Sequence, residues 1–181
     1  MFIEMKLNIG CGKDIRKRWI NLDFAEGEGV DVVHDINKLP LPFEDKTFDI
    51  VLCKDVLEHV NYFPLVNDIH RILNKGGKLI IKVPHFTSKS NYADPTHINF
   101  FSSRTFYYFV NQDKFAYDRA ASQYSKIKIK IRFEGFDIFI FRIINKKLEN
   151  WVNKSERRQR FYERSFLRIF PAFCIEVILR K

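Results

Sequence analysis

A glycine-flanked turn, Gly10–Gly12, follows a short apolar run near the start of the chain, and Asp23 stands eleven residues beyond it. Glycine has no Cβ, so the backbone there can turn tightly and come close to a ligand. The Asp23 carboxylate can accept hydrogen bonds from both hydroxyls of a ribose, and Asp35 can accept one from an exocyclic amine such as that of adenine. Ile36 adds an apolar surface for a flat base. This pattern is typical of a nucleotide or nucleoside site.

The elements that must position these residues are short apolar runs that predict strands. The runs cover residues 5–9, 20–23, 30–34, 48–53, 78–84, 126–133 and 173–181. Helical stretches are predicted over 54–60, over 63–73 with a glycine cap at Gly76 and Gly77, and from about 138 to 167. Strands interleaved with helices predict a mainly parallel α/β sheet, whose ligands bind at the carboxyl ends of the strands. The glycine turn, Asp23 and Asp35 would therefore share one crevice.

Composition limits the class of protein without naming a ligand. The chain has 181 residues, which suits one domain, and a net charge of +9, which permits binding to nucleic acid, anionic lipid or an acidic small molecule. Its three cysteines form no CxxC pair, so neither a zinc knot nor a disulfide framework is predicted, and a cytoplasmic location is expected. No apolar run reaches the length of a membrane span, so no transmembrane segment is predicted.

Several segments, taken in order, resemble the class I S-adenosylmethionine-dependent methyltransferases of the small stand-alone type. They are LNIGCG, WINLDF, HDINKLPLPFEDKTFDIVLCKDVLEHV and RILNKGGKLIIKVP, and DPTHINFFSSRTFYYF extends the similarity to about residue 109. The resemblance implies an α/β, seven-stranded Rossmann-like sheet that is mostly parallel, with an antiparallel C-terminal strand. It implies a single domain over residues 1–181, in which residues 1–85 form the cofactor-binding half and residues 86–181 the acceptor-side half.

The resemblance also implies S-adenosylmethionine as the cofactor and assigns its contacts. These are Asn8, Gly10, Cys11 and Gly12 in the loop, Asp23 at the ribose, Asp35 and Ile36 at the adenine, and Leu52 and Cys53 at the methionine end. Because the methyl group is already activated, proximity and orientation would carry most of the catalysis. If a general base is needed, His85, Asp94 and His97 are the candidates. These three could also ligate a metal, but their spacing matches no standard motif, and no metal site is predicted.

The methyl acceptor is the least determined part of the prediction. Aromatic residues in the acceptor-side half suit a small molecule or glycan-type metabolite, and the basic charge leaves RNA as an alternative acceptor. A cofactor-binding partner or regulatory subunit without catalysis is a second alternative. A nicotinamide-dependent dehydrogenase fits poorly, because Ile15 occupies the position of the third glycine in GxGxxG.

The connections between the first three predicted strands are too short for full helices. Crossovers between parallel strands usually need a dozen or more residues, and residues 13–19 provide barely two helical turns. The helices between strands one, two and three are therefore predicted to be truncated, which leaves one face of the sheet thinly covered. We expect the long C-terminal helix, or a second subunit in a homodimer or other complex, to cover that face.

Overall fold

The structure, a computed structural model, describes residues 4–110, 124–134 and 139–181. Its strands are β1 (Lys6–Ile9), β2 (Ile20–Asp23), β3 (Val32–Val33), β4 (Phe48–Lys54), β5 (Leu73–Pro84), β6 (Lys126–Phe133) and β7 (Ala172–Arg180). Its α-helices are α1 (Tyr62–Ile72), α2 (Ser90–Ala93), α3 (Phe139–Val152) and α4 (Glu156–Arg164), and two 3-10 helices cover Thr105–Phe109 and Phe166–Ile169. Each helix in the described ranges is too short or too polar to cross a bilayer.

All seven strands belong to one sheet in the order β3-β2-β1-β4-β5-β7-β6. Strands β1 to β5 run parallel, and β7 lies antiparallel between β5 and β6. The predicted α/β fold, with its antiparallel C-terminal strand, is confirmed. The strand order changes direction between β1 and β4, so the carboxyl ends of these two strands flank the point where such sheets bind ligands.

One face of the sheet carries the hydrophobic core. Because side chains alternate along a strand, every second residue points to this face, where α1 packs through Leu65, Val66 and Ile69. The strand residues in this core are fully buried and include Leu7, Ile9, Val51, Cys53, Leu79, Ile81 and Val83. The core thus fixes the strands whose ends form the site.

The opposite face at β1 and β2 is covered by the connection between these two strands. Asn8 donates from Nδ2 to the Asp14 carbonyl at 2.8 Å and to Asn21 Oδ1 at 3.2 Å. Arg16 N donates to the same Asn21 oxygen at 2.9 Å, and Lys54 Nζ lies 2.9 Å from the Asp14 carboxylate. The loop is therefore tied to β1, β2 and β4 by polar contacts.

The expectation that the C-terminal helix covers this face is wrong. Helix α3 packs against β6 and α4, and β6 lies at the edge of the sheet farthest from β3. Asn8 and Asn21 are nevertheless only 2% and 3% exposed, because the short loop itself lies over them. The second covering element that we expected, another subunit, remains a prediction.

The structure corrects the predicted helix over 54–60 and the predicted glycine cap of the helix that follows it. Residues 54–60 form the end of β4 and turns, because the Asn99 side chain binds the Leu57 and Val60 carbonyls (2.9 and 2.7 Å) that a helix would use internally. Helix α1 ends at Ile72, and the predicted glycine cap belongs to β5.

The long helix predicted to start at 138, a residue outside the described ranges, is two helices. The break comes at Asn153, whose side chain bonds to both the N–H (2.8 Å) and the carbonyl (2.7 Å) of Ile131. Ser155 then caps α4 by accepting from Arg158 N.

Candidate active site

The glycine turn at the end of β1 has a conformation that requires glycine. Gly10 has a φ of +64°, and a Cβ there would lie 2.5 Å from Val56 Cγ2. Gly12 has a φ of +47°, and its N–H donates to Asp23 Oδ2 at 2.8 Å. Cys11 N donates to the Leu22 carbonyl at 3.0 Å. The turn is therefore fastened to the end of β2 and leaves no room for a side chain at Gly10.

A cavity of about 600 Å³ opens beside this turn, at the carboxyl ends of β1, β2 and β4. This volume is in the range of small-molecule and cofactor sites. Four of the predicted cofactor residues line it, and they are Gly10, Asp23, Asp35 and Ile36. The other lining residues are Leu22, Phe24, Asn37, Asp55, Val56, His59, Val60 and Thr96. The structure thus brings the glycine turn and both predicted acids together around one cavity.

The two acids of this cavity are held in different ways. Asp23 is 8% exposed, and its second oxygen accepts from Ala25 N at 3.3 Å. Asp35 accepts from the backbone N–H of Asn37 at 3.0 Å, and this hydrogen bond lowers the pKa of the Asp35 carboxyl below its usual value. Both side chains therefore present carboxylate oxygens at fixed positions along the cavity.

The remaining predicted cofactor residues do not line the cavity with their side chains. Asn8 holds the loop, as described above, and Cys11 is 3% exposed beneath the turn. Leu52 and Cys53 are buried within the sheet, and burial raises the pKa of the Cys53 thiol well above its usual value. At the end of β4 the cavity is lined instead by Asp55 and Val56.

A second cavity, of about 380 Å³, adjoins the first and shares two lining residues with it, Asp55 and His59. Its other lining residues are Glu58, Pro84, Ser90, Ala93, Asp94, His97, Phe173 and Cys174. Asp55 has a φ of +55°, a conformation that is uncommon for residues other than glycine. The strained Asp55 backbone therefore lies where the two cavities meet.

One wall of the second cavity is a connected set of histidines and acids. The His59 and His97 rings meet edge to face, with their centroids 4.6 Å apart. His59 Nδ1 lies 2.9 Å from Thr96 Oγ1, which in turn donates to Asp94 Oδ1 at 2.6 Å. His97 Nε2 lies 3.9 Å from Asp94 Oδ2. Asp94 thus connects to both histidines, once directly and once through Thr96.

Glu58 completes this wall from the turn after β4. Ile98 N and Asn99 N donate to its carbonyl at 2.8 and 3.2 Å, which holds the turn against the loop that carries His97. The Glu58 residue is 1% exposed. Burial raises the pKa of its carboxyl to about 7. A carboxyl group in this position is costly to ionise unless it is paired with a partner.

His85, a predicted candidate base, lies outside both cavities. It is fully buried, and its Nε2 lies 3.3 Å from Glu163 Oε1. The same carboxylate accepts from Ser103 N at 2.6 Å and from Ser103 Oγ at 2.8 Å. His85 therefore belongs to a structural network under α4, whereas Asp94 and His97, the other two candidates, do line the second cavity.

Comparison with known proteins agrees with this arrangement. The family described as "Methyltransferase domain" matches residues 7–81, which include β1, the glycine turn and most of β5. Over residues 7–81 the chain is therefore similar to that family.

Solved structures share the fold of this chain at low sequence identity. A SAM-dependent methyltransferase from Archaeoglobus fulgidus is 18% identical with a TM-score of 0.61, covering 98% of this chain and 86% of that chain. A protein described as a possible histamine N-methyltransferase from Thermotoga maritima is 16% identical with a TM-score of 0.60, covering 100% of this chain and 84% of that chain. At this identity, the similarity concerns the fold.

A curated relative is closer in sequence over a short segment. An uncharacterized protein from Methanocaldococcus jannaschii is 62% identical over 47 residues, which are 26% of this chain and 21% of the relative. This chain therefore aligns with about a fifth of that protein's length.

Sequence reasoning assigned no site role to Val56 and Glu58, which line the cavities, and did not predict His59 as a binding or catalytic residue. They follow β4 directly, so the rule that ligands bind beyond the carboxyl ends of parallel strands points to them. The prediction of a helix over 54–60 hid this signal, because it placed His59 on a packed helical face. The backbone strain at Asp55 is visible only in the structure.

Proposed function

We propose that this protein is a methyltransferase that transfers the methyl group of S-adenosylmethionine to a hydroxyl group of a small polar acceptor of glycan type. The observation that carries the proposal is the pair of adjoining cavities that share Asp55 and His59. A cofactor in the first cavity and an acceptor in the second would meet at these residues. A cofactor-binding subunit without catalysis would have no need of the second cavity.

The residues of the first cavity fit the cofactor. The tight turn at Gly10 lets the main chain approach the methionine end, because no side chain fits there. Asp23 is placed to accept from the ribose hydroxyls, and Asp35 from the adenine amine, with Ile36 against the base. S-adenosylmethionine supplies a methyl group on a sulfonium, which needs no further activation.

Local charge favours an uncharged, hydroxyl-rich acceptor over a phosphate-bearing one. The net charge of the chain is +9, yet the second cavity is lined by the carboxyl side chains of Asp55, Glu58 and Asp94. Like charges in a partly enclosed site repel, so these groups disfavour a phosphodiester backbone there. Carboxylates and imidazoles instead accept the hydrogen bonds that several hydroxyl groups offer. This argues against RNA as the acceptor.

The chain's own residues would act mainly by positioning and by excluding water. Pro84, Phe173 and Cys174 form an apolar side of the second cavity, which limits the water around the reacting groups. The polar wall on the other side binds the acceptor, whose hydroxyl must lose its proton as the new bond forms. Holding both partners in line supplies the larger part of the rate enhancement.

The test uses purified protein and S-adenosylmethionine with a radiolabelled methyl group. Neutral monosaccharides, disaccharides and polyols are offered in parallel with single-stranded RNA of mixed sequence, and transfer is measured as label in the product. We expect label in a hydroxylated small molecule and none in RNA. Transfer to RNA alone would contradict the proposed acceptor class.

A matched pair of variants tests the position of the reaction. Asp55→Asn removes the charge shared by the two cavities, and Asp45→Asn removes the charge of an exposed acid that pairs with Arg71 away from them. We expect D55N to lower kcat/KM at least tenfold, about 1.4 kcal/mol of transition-state stabilisation, and D45N to leave it unchanged. Equal activity of the two variants would show that the shared edge is not the reaction centre.

A further inference from the structure

Three side chains on the wall of the second cavity converge in a way that the proposed methyl transfer does not by itself require. Glu58, His59 and His97 each offer one ligand atom, and these atoms all lie within 4.8 Å of one another. All three residues line the second cavity, and His59 also lines the first. Two imidazoles and a carboxylate at this spacing can share one metal ion.

Two of these groups are buried without a partner. Glu58 Oε2 and His97 Nδ1 have no hydrogen-bond partner among the residues that the structure describes. The Glu58 residue is 1% exposed and the His97 side chain 7% exposed, so little solvent reaches either group. Leaving a buried polar atom unpaired costs free energy, and such atoms are rare in native structures. A cation bound between Glu58 and His97 would satisfy both atoms.

The histidines are also oriented as metal ligands usually are. A ligating histidine commonly directs its second ring nitrogen to a carboxylate or other oxygen, which fixes the ring. Here His97 directs Nε2 to Asp94 Oδ2 at 3.9 Å, which leaves Nδ1 for a ligand. His59 directs Nδ1 to Thr96 Oγ1 at 2.9 Å, and Thr96 donates to Asp94, which leaves Nε2. Asp94 thus supports both rings.

We propose that Glu58, His59 and His97 bind a divalent transition-metal ion, of which Zn²⁺ and Fe²⁺ are the types that suit two imidazoles and a carboxylate. Three protein ligands are typical of catalytic sites, which keep a coordination position open, whereas structural zinc sites are closed by four. The position left open faces the second cavity. The role of the ion rests on the proposed function, because it would there coordinate the hydroxyl oxygen of the acceptor.

The ion accounts for the fate of the acceptor's proton. A hydroxyl that coordinates a divalent cation becomes more acidic, as metal-bound water does, and releases its proton to water at the cavity mouth. The oxygen lone pair then forms the new bond to the methyl carbon, while the carbon–sulfur bond breaks and its electron pair stays on sulfur. The products are a methyl ether and neutral S-adenosylhomocysteine, so the positive charge of the sulfonium and the negative charge of the oxygen cancel.

The charges along the wall suit such an ion. Asp55, Glu58 and Asp94 line the same cavity as the proposed ion, and Asp55 also lines the adjoining cavity proposed for the sulfonium. Two positive centres close together would repel strongly without these groups. The concentration of acids in an otherwise basic chain is thus explained by the cation.

Metal binding can be tested without any turnover. Untagged protein is treated with a chelator, exchanged into metal-free buffer and titrated with Zn²⁺ by calorimetry and with Co²⁺ by visible absorption. We expect one ion per chain and a Co²⁺ ligand-field band. His59→Ala and His97→Ala should each abolish the band and lower the Zn²⁺ affinity more than a hundredfold. Asp94→Asn, which changes only the support of the histidines, should lower it about 10- to 100-fold.

The matched control is His70→Asn, which removes a histidine on α1 that packs against the Tyr124 ring outside both cavities. It should bind the ion as the unaltered protein does. Thermal unfolding followed by circular dichroism identifies any variant that fails to fold. If a histidine variant fails to fold, metal binding is compared between the unaltered protein and D94N, which keeps all three ligands. Binding that is absent in the unaltered protein, or unaffected by H97A, H59A and D94N alike, would overturn the proposal.

Activity separates this inference from the proposed function. Transfer that stops with a chelator and returns with Zn²⁺ or Fe²⁺ supports both. If a chelator does not change methyl transfer and the protein binds no ion, the metal site is refuted and the proposed methyl transfer is not. An ion bound by these three residues without transfer to any hydroxylated acceptor refutes the proposed acceptor class and leaves the metal site standing.

Discussion

Replacing Gly10 by alanine tests whether the turn after β1 is shaped by the geometry described above. Two separate costs are expected. The first comes from the backbone, because Gly10 has a φ of +64° and a left-handed conformation costs an L-residue about 1–2 kcal/mol. The second comes from crowding, because the new Cβ would lie 2.5 Å from Val56 Cγ2. Overpacking of this kind typically costs about 1–3 kcal/mol.

Gly12 provides a control for the first cost alone. Its φ is +47°, and a Cβ there would meet no atom within 4 Å. Gly12→Ala should therefore lower the free energy of unfolding by about 1–2 kcal/mol, and Gly10→Ala by about 2–5 kcal/mol. The difference between the two variants isolates the contact with Val56.

Urea denaturation of the protein without ligand measures both values, and a double-mutant cycle with Val56→Ala checks the cause. In the V56A background the added methyl group has room, so the cost of G10A should fall by about 1–3 kcal/mol. Gly10 and Val56 both line the first cavity, so G10A should also lower the affinity for S-adenosylhomocysteine. We expect a loss of at least tenfold, about 1.4 kcal/mol of binding free energy, in a calorimetric titration. If G10A were no more costly than G12A, or if V56A did not relieve it, the steric argument would be refuted.

The other predictions concern the charge, the packing and the thiols around the site. Asp23→Asn weakens the hydrogen bond from the Gly12 N–H, 2.8 Å long here, so we expect at least a tenfold loss of S-adenosylhomocysteine affinity, about 1.4 kcal/mol, in a calorimetric titration. Glu163→Ala leaves the buried Ser103 N–H and hydroxyl without their acceptor and should cost about 1–3 kcal/mol of unfolding free energy in urea, with Glu163→Gln costing less. Burial raises the pKa of the thiols of Cys11, Cys53 and Cys174, and that of Cys174 to about 11. Because the thiolate is the reactive form, a thiol reagent at pH 8 should label the folded protein far more slowly than the urea-unfolded chain.

The cofactor side of the site could be predicted from the sequence because its signals are local. Gly10 and Asp23 end consecutive strands that pair in parallel, so a short stretch of sequence contains both the turn and its anchor. Asp35 follows the next strand in the same way. Alternation along each strand indicates which residues point into the core, and the strand order of the family determines the rest.

The acceptor side could be predicted only in part, through Asp94 and His97, because its geometry depends on contacts between distant residues. His59 and His97 meet where Asn99 binds the carbonyls of Leu57 and Val60 and where Ile98 N and Asn99 N bind the carbonyl of Glu58. Helical spacing over 54–60 suggested a helix, and nothing in that segment reveals that its carbonyls bond elsewhere. Likewise, the predicted base His85 is sequestered by Glu163, which lies 78 residues further along the chain.

The short connection between β1 and β2 is compatible with the proposed cofactor for an electrostatic reason. In dinucleotide sites a full helix follows the glycine turn, and its N-terminus binds the negative charge of the pyrophosphate. S-adenosylmethionine has no phosphate, so the site needs no helix dipole at that point. What it needs is a turn held close to β2, and the bonds from Cys11 N to the Leu22 carbonyl and from Gly12 N to Asp23 provide this. The polar loop over Asn8 and Asn21 therefore takes the place of the helix on this face of the sheet.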